Sequence, residues 1–151
     1  MSTRFSVSLS ATLVLGLGCC SPTDPPAQVG DWQLVASEQH EALLSVSAPS
    51  ESNVWLVGAD KGKGPVVVQY DGQRFVRHDT GHKGDLWWVQ AFPDGTALMA
   101  GSDGSVLKFA NGRFERLSTP GLGRQTLFGL WGSRPDDVWF VGGAAGRDGF
   151  L

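Results

Sequence analysis

Cysteine is nearly absent from this chain: its 151 residues include two, Cys19 and Cys20, adjacent in sequence. Neighbours this close do not close an ordinary structural disulfide, so no disulfide framework holds the fold. Charge is thin, at 18% of residues with a net of -3, and the 12 basic residues are scattered, none clustered more densely than Lys61-Gly-Lys63. Nothing is arranged to neutralise a run of phosphates, which argues against a nucleic-acid partner. No stretch reaches the roughly 20 predominantly apolar residues of a membrane-crossing helix. A phosphate loop is missing too, because Gly142-Gly-Ala-Ala-Gly146 lacks the Lys and Ser/Thr that such a loop needs. Glycine, by contrast, is plentiful. With 21 Gly and 8 Pro, the two make up about a fifth of the chain, above the usual level but short of the roughly 25 to 30% of a disordered low-complexity sequence. The length is that of one domain.

The first 18 residues read as a secretory signal peptide: Arg4 is the only charge before Asp24, and an apolar run extends from Val7 to Gly18. The segment ends in Leu15-Gly-Leu-Gly-Cys19-Cys20, which resembles a bacterial lipobox. The resemblance implies lipidation of Cys19, with Cys20 as the alternative: Cys19 follows the small Gly18 but has Gly16 where a branched apolar residue is preferred, whereas Cys20 has Leu17 there. Each buried methylene of an acyl chain contributes about 0.8 kcal/mol, so lipid on one cysteine tethers a protein without a spanning helix. Residues 19–28, with Pro22, Pro25 and Pro26, read as an extended tether. Without Arg4, 11 basic residues stand against 15 acidic ones, so the lipid and not surface charge is the expected anchor. The expected location is the bacterial cell envelope, as an outer-membrane lipoprotein facing the periplasm or the cell surface.

From residue 29 the chain repeats. Val46-Ser-Ala-Pro-Ser-Glu-Ser-Asn-Val-Trp-Leu-Val-Gly58 aligns without a gap on Leu130-Trp-Gly-Ser-Arg-Pro-Asp-Asp-Val-Trp-Phe-Val-Gly142, 84 residues later, and Val89-Gln-Ala-Phe-Pro-Asp-Gly-Thr-Ala-Leu-Met-Ala-Gly101 lies midway, at offsets of 43 and 41. Tyr70-Asp-Gly-Gln-Arg-Phe75 likewise matches Phe109-Ala-Asn-Gly-Arg-Phe114. Periods of about 40 to 45 residues with several strands each point to a β-propeller. The fold class expected is therefore all-β, a partial propeller of four-stranded antiparallel blades at 43–79 and 87–118, with a truncated blade at 127–151. Within a repeat the strands expected are Leu43 to Ser47, Val54 to Val57, Val66 to Tyr70, and a more polar outer strand from Phe75 to His78. Val54-Trp-Leu-Val57 is apolar throughout, so both of its faces are expected to be buried. Residues 30–35 align on Gly72 to Arg77 and read as an orphan outer strand that pairs with the last blade.

The last residues, Gly143 to Leu151, stop where the third repeat's third strand is due. Repeats of this kind stabilise one another by stacking, and propellers use about four to eight blades. The chain is accordingly read as a fragment, a truncated product or one part of an assembly.

The strings Asn53-Val-Trp-Leu-Val-Gly58 and Trp131-Gly-Ser-Arg-Pro-Asp-Asp-Val-Trp-Phe-Val-Gly142 resemble the WGSSPDDVWAVG repeats of large, often lipid-anchored propeller proteins of myxobacteria and related soil bacteria. The middle repeat departs from the pattern, with Phe92-Pro-Asp-Gly95 and Leu98 in place of tryptophan. The resemblance covers residues 29–151 and implies architecture, not a particular activity.

Candidate chemistry is sparse. His78-Asp-Thr-Gly-His82 with Asp85 offers imidazoles and carboxylates to a metal, but the segment leaves a strand for a loop, where an i,i+4 spacing does not bring two imidazoles together. Asp136-Asp137 after Pro135 reads as turn chemistry, in which the side chains satisfy local amides. Of the six tryptophans, at 32, 55, 87, 88, 131 and 139, Trp55 and Trp139 occupy equivalent positions and are expected in the core. Trp87, Trp88 and Trp131 lie near strand starts and are the candidates to touch a ligand. No catalytic residue, metal or cofactor is expected. The function expected is a non-catalytic envelope lipoprotein presenting propeller loops to a protein or a glycan. The alternative is a fragment of a glycan-active enzyme, a glycoside hydrolase or lyase, whose catalytic carboxylates lie outside this chain. An assembly factor for envelope protein complexes is a third reading.

Overall fold

The computed structural model describes residues 34–35, 39–144 and 149–151. Cys19, Cys20, the signal peptide, the tether and Trp32 lie outside the described residues, as does the expected orphan strand save for Leu34 and Val35, which are both exposed. All strands among the described residues fall within the unit Glu38–Leu151.

Short β-branched and aromatic runs punctuated by Gly and Asp fold here as antiparallel meanders. The first sheet contains β1 (Leu43–Ser50), β2 (Asn53–Asp60), β3 (Pro65–Tyr70) and β4 (Phe75–Arg77), paired in chain order. The second repeats the plan with β5 (Leu86–Ala91), β6 (Ala97–Gly101), β7 (Val106–Ala110) and β8 (Arg113–Arg116). The third pairs β9 (Thr126–Arg134) with β10 (Asp137–Gly143), and β10 with the two-residue β11 (Gly149–Phe150). The all-β fold and the four-stranded antiparallel sheets match the expectation from the repeat.

Successive sheets stack, and their first strands lie side by side. The hydroxyl of Ser47 accepts the Ala91 N–H at 2.9 Å and that of Ser45 accepts the Val89 N–H at 3.2 Å, so β1 satisfies amides on the open edge of β5. Between the first two sheets, Trp55, Val57 and Val67 pack against Leu86, Val89, Ala97, Met99 and Leu107, all of them within 1% of full burial. Between the second and third, Leu98, Ala100 and Val106 meet Leu127 and Leu130, with Val138, Phe140 and Phe150 against them. Each sheet thus has a leading face towards the sheet before it and a trailing face towards the sheet after it.

Two expectations are corrected by this stacking. Trp55 is fully buried, whereas its equivalent Trp139 is 56% exposed, because Trp55 is roofed by the second sheet and no sheet among the described residues roofs the trailing face of the third. For the same reason β2 is not buried on both faces: Trp55 and Val57 are buried, while Val54 and Leu56 on the leading face are only half-buried.

The glycine that closes each repeat has a steric cause. A Cβ on Gly58 would run into the Ala42 carbonyl oxygen, one on Gly101 into that of Asp85, and one on Gly142 into that of Thr126. In all three sheets the chain entering the first strand crosses the end of the second at backbone contact distance, which leaves no room for a side chain.

Candidate functional site

Near its start, each first strand carries one residue more than the stretch it pairs with. Leu43 pairs with Gly58 and Ser45 with Val57, which leaves Leu44 as a bulge. Leu86 pairs with Gly101 and Trp88 with Ala100, which leaves Trp87. Leu127 pairs with Gly142 and Gly129 with Val141, which leaves Phe128. Bulges of this kind unpair a residue and re-aim its side chain. All three bulged residues are large and apolar, all three are exposed, and they sit at the same repeat position on strands that lie next to one another. Trp87 and Phe128 meet edge to face across two sheets, with ring centroids 5.9 Å apart at 74°. The row Leu44, Trp87, Phe128 is the candidate binding site, able to seat apolar side chains by contact and stacking.

Beside Phe128 the surface continues into a cleft of about 360 Å³ lined by Trp88, Phe128, Gly129, Trp131, Trp139 and Val141. Sequence reasoning singled out Trp87, Trp88 and Trp131, and the structure brings Trp88 and Trp131 to this cleft and Trp87 to the bulge row. It missed Leu44 and Phe128. The available signal was the doublet Leu43-Leu44, Leu86-Trp87 and Leu127-Phe128, which recurs at the repeat offsets.

The other candidates are occupied with structure. Asp60, which sequence reasoning passed over, accepts the N–H groups of Gly62 (2.6 Å), Gly64 (2.9 Å) and Gly84 (2.9 Å), and these bonds, Gly84's foremost, hold its carboxyl below the usual carboxylate range. Asp85 accepts the Asp60 N–H at 2.7 Å, so the loops before β3 and β5 lock together. Asp137 accepts the Ser133 hydroxyl at 2.6 Å and Asp136 pairs with Arg134 at 3.2 Å, the turn chemistry expected of them. Glu41 is held by a two-pronged contact from Arg77, at 3.1 and 3.2 Å, across a polar groove that also holds His78. Among the described residues no three His, Cys, Asp or Glu side chains converge as metal ligands.

His78 turns inward instead of towards His82. Its ring stacks on Trp55, with centroids 5.2 Å apart at 21°, beside Phe109 and Phe114, and its Nε2 donates to the side-chain Oε1 of Gln69 at 3.2 Å. The Gln69 amide and the Trp55 indole N–H both donate to Asn53 Oδ1, at 3.2 and 2.9 Å. Burial lowers the His78 pKa from its ordinary 6.5, since the ring would be desolvated on charging. The unfolded chain then binds this proton more readily than the folded one. The stability tied to neutral His78 is therefore complete above about pH 6.5 and falls as pH drops through that value. Urea midpoints measured between pH 7 and 5.5 should decline for the natural chain, with a clearly shallower slope for His78→Gln.

None of the family models compared matches the chain, and no curated protein matches it. Among solved structures, a β-propeller described as "YCF48 bound to D1 peptide" is similar, with a TM-score of 0.50 at 16% identity over 77% of this chain and 40% of that one. The present chain thus spans well under half the length of that protein. At this identity the likeness speaks for the fold, and with the stacked four-stranded sheets it makes the chain an all-β, propeller-like protein.

Proposed function

We propose that the chain is a non-catalytic lipoprotein of the bacterial cell envelope that holds a segment of a partner protein on its bulge row. The observation that carries this reading is the placement of Leu44, Trp87 and Phe128, one from each sheet, exposed at a single repeat position. Such a row is matched by Leu, Phe or Tyr side chains of a partner, because large apolar anchors contribute most of the affinity in protein recognition. A glycan would need several hydrogen-bonding groups beside the stacking face, and the row offers only the Trp87 indole N–H. The peptide in the description of the similar solved structure accords with the protein reading.

Fluorescence titration tests it. Unstructured peptides carrying spaced Leu and Phe anchors should shift the tryptophan emission and saturate. The double substitution Trp87→Ala with Phe128→Ala should weaken binding by about 30-fold or more, the effect of losing one or two interface hot spots. Saturation by chito- or malto-oligosaccharides with no response to peptides would transfer the site to glycans, and no response to either contradicts binding at the row.

The anchor rests on Leu15 to Cys20. Cys19→Ser should move the chain from the membrane to the soluble fraction and abolish acyl mass, while Cys20→Ser leaves both unchanged. The reverse outcome assigns the lipid to Cys20, and an unmodified polypeptide that begins at Met1 contradicts the anchor.

A further inference from the structure

Three of the chain's four lysines meet at one loop beside the bulge row. The loop between β2 and β3 is longer than its counterpart between β6 and β7: nine residues lie between Val57 and its partner Val67, and five between Ala100, at the repeat position of Val57, and its partner Val106. The longer loop contains Lys61-Gly-Lys63-Gly64, with both lysines exposed. Lys83, also exposed, is brought to it by the connector into β5, and its Nζ donates to the Gly62 carbonyl oxygen at 2.6 Å. The shorter loop meets its connector differently: Arg124, at the repeat position of Lys83, pairs with Asp103 at 3.5 Å. Asp60 stands where Asp103 does, but its carboxylate accepts the N–H groups of Gly62, Gly64 and Gly84. The other carboxylates around the loop are also engaged: Asp85 by the Asp60 N–H, Asp79 by the Gly81 N–H and Glu41 by Arg77. Among the described residues none of the three ammoniums is in an ion pair.

The loop stands at the end of the strands where the bulges lie. Gly58 pairs with Leu43, beside the bulged Leu44, and Lys61 follows Gly58 within about 10 Å of extended chain. Lys83 shortly precedes the bulged Trp87. We propose that the partner segment seated on the row is acidic beside its apolar anchors, and that Lys61, Lys63 and Lys83 receive its Asp or Glu carboxylates at the Leu44 and Trp87 end. The inference rests on the proposed binding at the row and adds the chemistry of what binds there. The Phe128 end offers no such cluster, since Arg124, placed before Phe128 as Lys83 is before Trp87, already has Asp103. Exposed charges at the rim of a site select and steer a partner more than they tighten it, so the lysines should set a salt-sensitive preference and leave the apolar anchoring intact.

The full chain is titrated, by tryptophan fluorescence, with unstructured peptides that share Leu and Phe anchors and differ in flanking residues that are all Glu, all Gln or all Lys. At about 20 mM salt the Glu peptide should bind about 10-fold more tightly than the Gln peptide, and the Lys peptide more weakly than either; near about 0.5 M salt the difference should fall below about 2-fold. On net charge alone, -3, the Glu peptide would bind more weakly at low salt, so a gain locates the attraction at the loop. The triple substitution Lys61→Gln, Lys63→Gln and Lys83→Gln should abolish the preference, leave the affinity for the Gln peptide unchanged and leave the far-ultraviolet circular dichroism unaltered. Equal affinities of the natural chain for the Glu and Gln peptides overturn the acidic partner while binding at the row stands. A triple variant that keeps the preference overturns the role of these lysines, and a failure of every peptide to bind overturns this inference together with the binding reading. A preference of the natural chain for phosphatidylglycerol over phosphatidylcholine vesicles, lost in the triple variant and with no preference among the peptides, would give the cluster to a lipid surface and also overturns it. Should the triple variant fail to fold, the peptide comparison and its salt dependence in the natural chain decide.

Discussion

Replacing Trp55 by alanine should cost about 3 to 5 kcal/mol of folding stability, the range for emptying a buried aromatic site. Trp55 is fully buried between two sheets, its ring lies 4.7 Å from Phe109 and 5.2 Å from His78, and its indole N–H is bonded to Asn53. The substitution opens a cavity at the joint, exposes Met99 and Leu107 to it and leaves Asn53 Oδ1 with one donor fewer. Against a total stability of about 5 to 15 kcal/mol for a domain, such a loss is a large fraction. The companion substitution Trp139→Ala, at the equivalent position on a face that no sheet among the described residues covers, should cost under about 0.5 kcal/mol. Equal losses from the two substitutions at high dilution, read from urea midpoints, would contradict the stacking of sheets as the source of stability.

Gly101→Ala should be nearly as damaging, at about 3 kcal/mol. The added methyl would point into the Asp85 carbonyl oxygen and the Leu86 backbone, and backbone cannot swing aside as a flexible side-chain end can. Relief requires the end of β6 and the start of β5 to separate, which breaks the Leu86 to Gly101 pairing beside the Trp87 bulge and the bond from Ser102 N–H to Asp85. The substitution therefore reaches the candidate site as well as the fold. Peptide binding at the bulge row should weaken along with the denaturation midpoint. Gly95→Ala is a useful comparison: its Cβ meets nothing, so its smaller cost arises from the left-handed backbone conformation alone.

The repeat made the sheets legible before any coordinate was known. Val46 to Gly58, Val89 to Gly101 and Leu130 to Gly142 align, and each spans the end of a first strand, a turn and a second strand. Identity within the repeat carried no information about burial, however. Trp55 and Trp139 have nearly the same local sequence and opposite exposure, because burial is decided by the neighbouring sheet and not by the strand itself. Periodicity therefore marked strands correctly and overstated the core. The bulges were harder still to read, since an inserted residue leaves an apolar run looking like an uninterrupted strand, and only the pairing of Leu86 and Trp88 across to Gly101 and Ala100 reveals that Trp87 is extra. For His78 the loop spacing argued against a joint site with His82, but nothing in the sequence showed the aromatic pocket of Trp55, Phe109 and Phe114 that holds the ring.

The central claim is that the repeats stack as successive sheets which bury one another's faces. Through-space proton contacts in the full chain test it most directly. Stacking places the Trp55 indole against the Phe109 ring, 54 residues away along the chain, and the Trp87 indole against the Phe128 ring, 41 residues away. Nuclear Overhauser cross-peaks for both pairs are the expected result. A Trp55 ring whose contacts are confined to its own repeat, with none to Phe109, would contradict the account.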